Sequence, residues 1–166
     1  MINSLKNHRL DYNIDCEFGL VGGSAGGHLA LMFDSLYDEA DEVKFVCSMA
    51  GPTNFNHPVY INRPDFKELL DLLVDRNVYP NIENNLDVLS PAHQITQFSS
   101  PTLLFYGSRD PKVPISGALL EKRNLMKEGV EHNLIIFQGG HGDWDDADYK
   151  KLYTDLGNFI DVHLPI

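Results

Sequence analysis

Between residues 18 and 33 an apolar run, a glycine-rich turn and a helix-forming run follow one another without a spacer. No other feature restricts this chain's fold as tightly. Phe18-Gly19-Leu20-Val21 has the character of a buried strand and Leu29-Ala30-Leu31-Met32-Phe33 that of a helix, and Gly22-Gly23-Ser24-Ala25-Gly26-Gly27 joins them. The joint reads Gly-x-Ser-x-Gly in a strand–turn–helix setting, the arrangement of a nucleophile elbow. A serine there sits on a strained turn with its hydroxyl clear of the sheet. Glycines at 22 and 26 are expected to let neighbouring backbone pass without a Cβ clash. Ser is also a favoured helix N-cap, a reading that the residue alone leaves open.

The other apolar runs extend the pattern. Glu17–Val21, Val43–Met49, Thr102–Tyr106 and Leu134–Phe137 are rich in Val, Leu, Ile or Phe and lack strict polar alternation, as strands buried on both faces do. Helix-like stretches lie between them, so an α/β fold with about four parallel strands and crossover helices is predicted. Helices are expected from Ser24 to about Tyr37, from Asp65 to Arg76, from Ile115 to Lys127 and from about Asp146 to Val162. Their apolar faces would carry Phe66, Leu69, Leu70 and Leu73; Leu119, Leu120 and Met126 (with Arg123); and Tyr149, Leu152, Tyr153, Leu156, Phe159 and Ile160. Ile2 to Leu10 reads as the end of another helix. No repeat or linker divides residues 1–166, which form a single domain with a lid-like insertion at about 52–95.

Composition narrows the class. The 166 residues are 43% hydrophobic and 22% charged, an ordinary globular balance. A formal net charge of −11 argues against nucleic acid or an anionic membrane surface as partner. No window is long and apolar enough for a signal peptide or a membrane span, so a cytoplasmic location is the default expectation. Cys16 and Cys47 make neither a disulfide framework nor a zinc ligand set, and Cys47, inside Val43-Lys44-Phe45-Val46-Cys47, reads as a buried thiol. A dinucleotide fingerprint from Gly22 would need Gly where Ser24 stands, and a phosphate-binding loop would need Lys where His28 stands.

A serine needs a base and a group to orient that base. Two loops that follow strands offer them: Gly107-Ser108-Arg109-Asp110-Pro111 after the third run and Gln138-Gly139-Gly140-His141-Gly142 after the fourth. In an open parallel sheet chemistry gathers beyond the carboxyl ends of the strands, and Ser24, Asp110 and His141 each hold such a position. By residue type alone, Asp110 is equally a turn former before Pro111 and His141 equally an unpartnered loop histidine. His28, His57 and His93 read as structural, Trp144 as packing for the last helix, and Asp143, Asp145 and Asp146 as acids opening that helix.

Three segments together, Gly-Gly-Ser-Ala-Gly-Gly-His-Leu-Ala (22–30), Gly-Ser-Arg-Asp-Pro-Lys-Val-Pro (107–114) and Gly-Gly-His-Gly (139–142), give the chain its resemblance to the α/β-hydrolase superfamily. It is similar to the C-terminal half of the bacterial esterase/lipase group that includes acetyl and feruloyl esterases. The resemblance implies a serine hydrolase acting on a small-molecule carboxylic ester. Ser24 would be the nucleophile, His141 the general base and acid, Asp110 the orienting carboxylate, and the backbone N–H of Ala25 an oxyanion donor, with no metal or organic cofactor.

Ser24 comes too early for the strands that precede the elbow in this family, so the chain is expected to be the catalytic half of something larger. The second oxyanion donor, usually on a His-Gly-Gly loop after an earlier strand, has no counterpart before Ser24; losing such a donor costs about 100- to 1000-fold in turnover. Residues 18–21 are then expected to form an open apolar edge that a homo-oligomer would cover. The alternative to an enzyme is a non-catalytic relic or assembly module that keeps the triad residues.

Overall fold

A computed structural model describes residues 2–165. Its centre is a sheet of four parallel strands in the order β1-β2-β3-β4, formed by β1 (Phe18–Gly23), β2 (Val43–Met49), β3 (Thr102–Gly107) and β4 (His132–Phe137). β3 is buried at all its positions, as its unbroken apolar run predicts.

The side-chain period of two divides the core cleanly. From β2 and β3, Val46, Leu104 and Tyr106 point to one face, where α3 (Ala25–Tyr37) and α6 (Ile115–Glu128) cover them with Ala30, Leu31, Ala118 and Leu125. Phe45, Cys47, Leu103 and Phe105 point to the other, under α7 (Asp146–His163), and pack with Phe137, Trp144 and Leu152. Each such fully buried Leu or Phe contributes about 1.5–3 kcal/mol relative to exposure.

Two short helices, α1 (Ile2–Asn7) and α2 (Arg9–Tyr12), replace the single stretch expected at the start, and Asn13 ends the second in the left-handed region with φ 49°. The helix expected over 65–76 is α5 (Phe66–Leu73); it stops where the Asp75 side chain accepts the Asn77 N–H at 2.8 Å, a local turn that competes with helix continuation.

The buried face of α6 is not the expected one. Gly117, Ala118, Glu121 and Leu125 face the core, whereas Leu119 and Met126 are exposed. The small residues let α6 approach closely, Gly117 sitting directly against Thr53. On α7 the expected stripe holds, except that Tyr153 points to solvent.

The insertion contains α4 (Pro58–Ile61), α5 and three single 3-10 turns. Tyr60, Phe66, Leu70, Ile82 and Leu86 form its own small core, joined by Phe55. Tyr60 and Phe66 are thus interior packing, while Tyr79 is exposed.

β1 lies at one edge of the sheet, with Val21 47% exposed. No described helix is long and apolar enough to cross a membrane.

Candidate active site

Three loops at the carboxyl ends of β1, β3 and β4 bring the predicted site together. The turn after β1 comes first. The Ser24 N–H donates to Met49 O at 2.7 Å, which ties the turn to the end of β2, and Ser24 has φ 50° and ψ −119°. For a non-glycine residue that conformation costs on the order of 1–3 kcal/mol and persists only where the surroundings impose it. Ser24 makes no side-chain cap to α3, so the N-cap reading fails and its hydroxyl is left free for another partner.

The glycines share the load differently from expectation. A Cβ at Gly22 would overlap the backbone of Gly26, so the close approach is real at 22. A Cβ on Gly26 would meet nothing within 4 Å; the second crowded position of the turn is Gly27, where a Cβ would overlap the Ser48 hydroxyl. α3 leans its first turn on β1 and β2 through residue 27, and residue 26 faces outward.

After β3, the Asp110 side chain is fully buried. Its Oδ1 accepts the N–H groups of Lys112 (2.8 Å) and Val113 (2.9 Å), closing a turn before α6. Asp110 Oδ2 lies 2.7 Å from His141 Nδ1, and His141 Nε2 lies 2.9 Å from Ser24 Oγ. A carboxylate at one ring nitrogen fixes the tautomer: Nδ1 carries the proton and Nε2 is left to accept from the serine hydroxyl. Ala25, the first residue of α3, has one of the N–H groups that a helix start leaves without an intrahelical partner.

The loop bearing His141 is held by three side chains whose sequence context suggested only roles in the last helix. Asp143 Oδ1 accepts the Gly140 N–H, Trp144 Nε1 donates to Gly140 O at 3.2 Å, and Tyr149 Oη donates to Gly142 O at 2.6 Å. The Arg109 N–H donates to Gly139 O at 2.8 Å, binding the Asp loop to the His loop. Asp143 therefore belongs to this clamp and not to the helix start, which Asp145 caps through the Asp148 N–H at 2.8 Å. The signal was present as an aromatic or acid every few residues after His141, but nothing local says where such side chains turn.

The other histidines are structural in their contacts. His28 Nδ1–H donates to Pro52 O at 3.0 Å and the ring meets Phe55 edge-on; burial holds its pKa below the ordinary value. His57 Nδ1 accepts the Val59 N–H and caps α4. Burial pushes the Cys47 thiol up to about 12, which keeps it protonated. Among the described residues no group of three or more His, Cys, Asp or Glu is placed to hold a metal ion.

The BD-FAE family model matches residues 1–125. The chain belongs to the BD-FAE family. Across the family's wider surroundings the likeness is to hydrolases. The rice (Oryza sativa subsp. japonica) protein "Acylamino-acid-releasing enzyme 1" is 34% identical over 159 residues, which span 89% of this chain and 20% of that protein. An acetyl ester-xyloside bifunctional hydrolase from Caldicellulosiruptor lactoaceticus superposes with a TM-score of 0.71 at 26% identity, covering 99% of this chain and 64% of the other. A puromycin-hydrolyzing peptidase of Mycobacterium tuberculosis gives a TM-score of 0.79 at 20% identity, over 98% of this chain and 24% of that one, and so speaks to fold alone. The chain has an α/β-hydrolase fold, and its four strands correspond to the C-terminal part of that fold. It spans about a fifth of the length of the curated relatives it matches.

Proposed function

We propose that this chain is a serine hydrolase that cleaves carboxylic esters through an acyl-enzyme. The observation that carries the reading is the unbroken chain from Asp110 Oδ2 through His141 to Ser24 Oγ, at 2.7 and 2.9 Å, on a serine held at φ 50°. In the forward step Ser24 Oγ attacks the acyl carbon while His141 Nε2 takes its proton. Asp110 stabilises the imidazolium through Nδ1–H, and the carbonyl oxygen, now negative, faces the Ala25 N–H. Collapse breaks the bond to the alcohol, which leaves with the proton from Nε2. Water repeats the sequence on the acyl-serine and returns the free serine and a carboxylic acid.

A second reading, cleavage of acylated peptides, draws on the 34% identity to the rice acylamino-acid-releasing enzyme. The same side chains serve both, since an amine can take the Nε2 proton as an alcohol does.

Labelling with a fluorophosphonate probe tests the nucleophile directly. The expected result is stoichiometric modification of Ser24, abolished in Ser24→Ala and strongly slowed in His141→Ala. Folded protein that resists the probe would refute the proposal and leave the non-catalytic reading. Turnover of 4-nitrophenyl acetate against an acetyl-alanyl anilide then separates ester from amide cleavage.

A further inference from the structure

A groove opens beside His141, with a cavity volume of about 480 Å³, walled by Arg109, Lys112, Gln138, His141 and Asp143 among others. Its charge is unlike that of the molecule. The chain carries 24 acidic and 13 basic residues, and Lys6, Lys44, Arg63, Arg76, Lys127 and Lys151 each have a carboxylate within 4.0 Å. Arg109 and Lys112 are among the basic residues with no carboxylate that close among the described residues, although they flank the buried Asp110. Asp110 forms no ion pair with either of them, because two backbone N–H groups and His141 occupy its oxygens and its side chain is closed to solvent. The guanidinium of Arg109 donates to Gln138 O, at 3.5 Å. One acid shares the groove, Asp143, and its Oδ1 is committed to the Gly140 N–H. Two free cations thus line a hollow whose wall includes the imidazole that returns the proton to the leaving group.

We propose that this groove receives a carboxylate carried on the leaving-group side of the substrate, so that the preferred esters are those of anionic alcohols or phenols. The inference rests on the serine-hydrolase reading above. A guanidinium presents two parallel N–H donors that match a carboxylate's two oxygens, and an ammonium adds a point charge without directional demand. Recognition at short range is needed here, because a net charge of −11 repels an anion at long range and cannot steer it in. The preference therefore arises from contact in the bound state and weakens with added salt.

The test uses two acetyl esters with the same scissile bond, 4-acetoxybenzoate and the uncharged 4-acetoxybenzamide. The readout is the ratio of their kcat/KM values, in which the constant difference in leaving-group chemistry cancels between variants. The ratio should fall about 10-fold from the parent to the double variant Arg109→Ala/Lys112→Ala at low salt, and fall less in Arg109→Lys, which keeps charge but loses the fork. A ratio that is the same in parent and double variant overturns the inference. Binding supplies a readout independent of turnover. In Ser24→Ala, 4-hydroxybenzoate should shift the amide NMR signals of Arg109, Lys112 and Gly140 saturably, while 4-hydroxybenzamide should not. If neither ester is hydrolysed, the ester-hydrolase reading falls, and the NMR titration still decides the groove. Saturable, charge-dependent shifts uphold it, and their absence overturns it.

Discussion

Glu121 sets a measurable limit on this fold. It lies on α6, 1% exposed, facing the same cluster as Tyr106, Ala118 and Leu125, and its Oε2 has no hydrogen-bond partner. Burial, reinforced by the nearby charge of Asp34, pushes its carboxyl up to about 8. The fold accepts the neutral acid and penalises the anion. Between the unfolded value of 4.5 and the folded value of about 8, the native chain therefore holds a proton that the unfolded chain has lost. Stability must decline as pH rises through that window. Each pH unit in the window costs about 1.4 kcal/mol, so the full penalty above pH 8 approaches roughly 5 kcal/mol. That is comparable to the whole stability of many domains. Glu121→Gln removes the titration while keeping size and polarity. Urea midpoints at a series of pH values between about 5.5 and 8, for parent and variant, isolate the effect because every other group is common to both. The variant should gain roughly 3 kcal/mol on the parent across that interval. Two curves that stay parallel would refute the reasoning, for they would mean that Glu121 either reaches water or finds a partner in the native state.

Four further outcomes are expected. Tyr149→Phe deletes the hydroxyl that donates to Gly142 O. It should slow fluorophosphonate labelling of Ser24 several-fold while shifting the urea midpoint by no more than about 1 kcal/mol, since its work is to hold the His141 loop. Gly107→Ala places a Cβ on the Gly140 carbonyl. It should displace that loop and suppress labelling more than it destabilises the sheet, as parallel labelling and denaturation curves would reveal. A thiol reagent should titrate one cysteine in the native protein, Cys16, and two after denaturation, because Cys47 is buried and held protonated. If a second copy covers the open β1 edge, sedimentation velocity should show a mass rising with concentration from 18.7 kDa towards twice that value; a monomer at every concentration rules it out.

The strands and the elbow could be read from the sequence because their determinants are local. An apolar run with no polar alternation suits a strand covered on both sides, which holds for β2 and β3, whereas the edge strands β1 and β4 leave Val21 and Ile136 half exposed. Gly22 declares the turn because only a residue without a Cβ fits its crowded backbone, and the Gly-x-Ser-x-Gly spacing places Ser24 at the strained φ of 50°. Asp110 and His141 were legible one step less directly, through the rule that side chains just past parallel strands converge. What stayed hidden depends on tertiary distance. The stripe of large residues on α6 suggested Leu119 and Met126 as core, yet the helix buries Gly117, Ala118 and Glu121. Close approach of Gly117 to Thr53, and not side-chain size, accompanies the face that turns inward. A helix that docks through small residues gains backbone proximity and must then bury whatever lies one turn further on. In this chain that residue is an acid, and the demand for close packing at Gly117 and Ala118 overrides the cost of its neighbour.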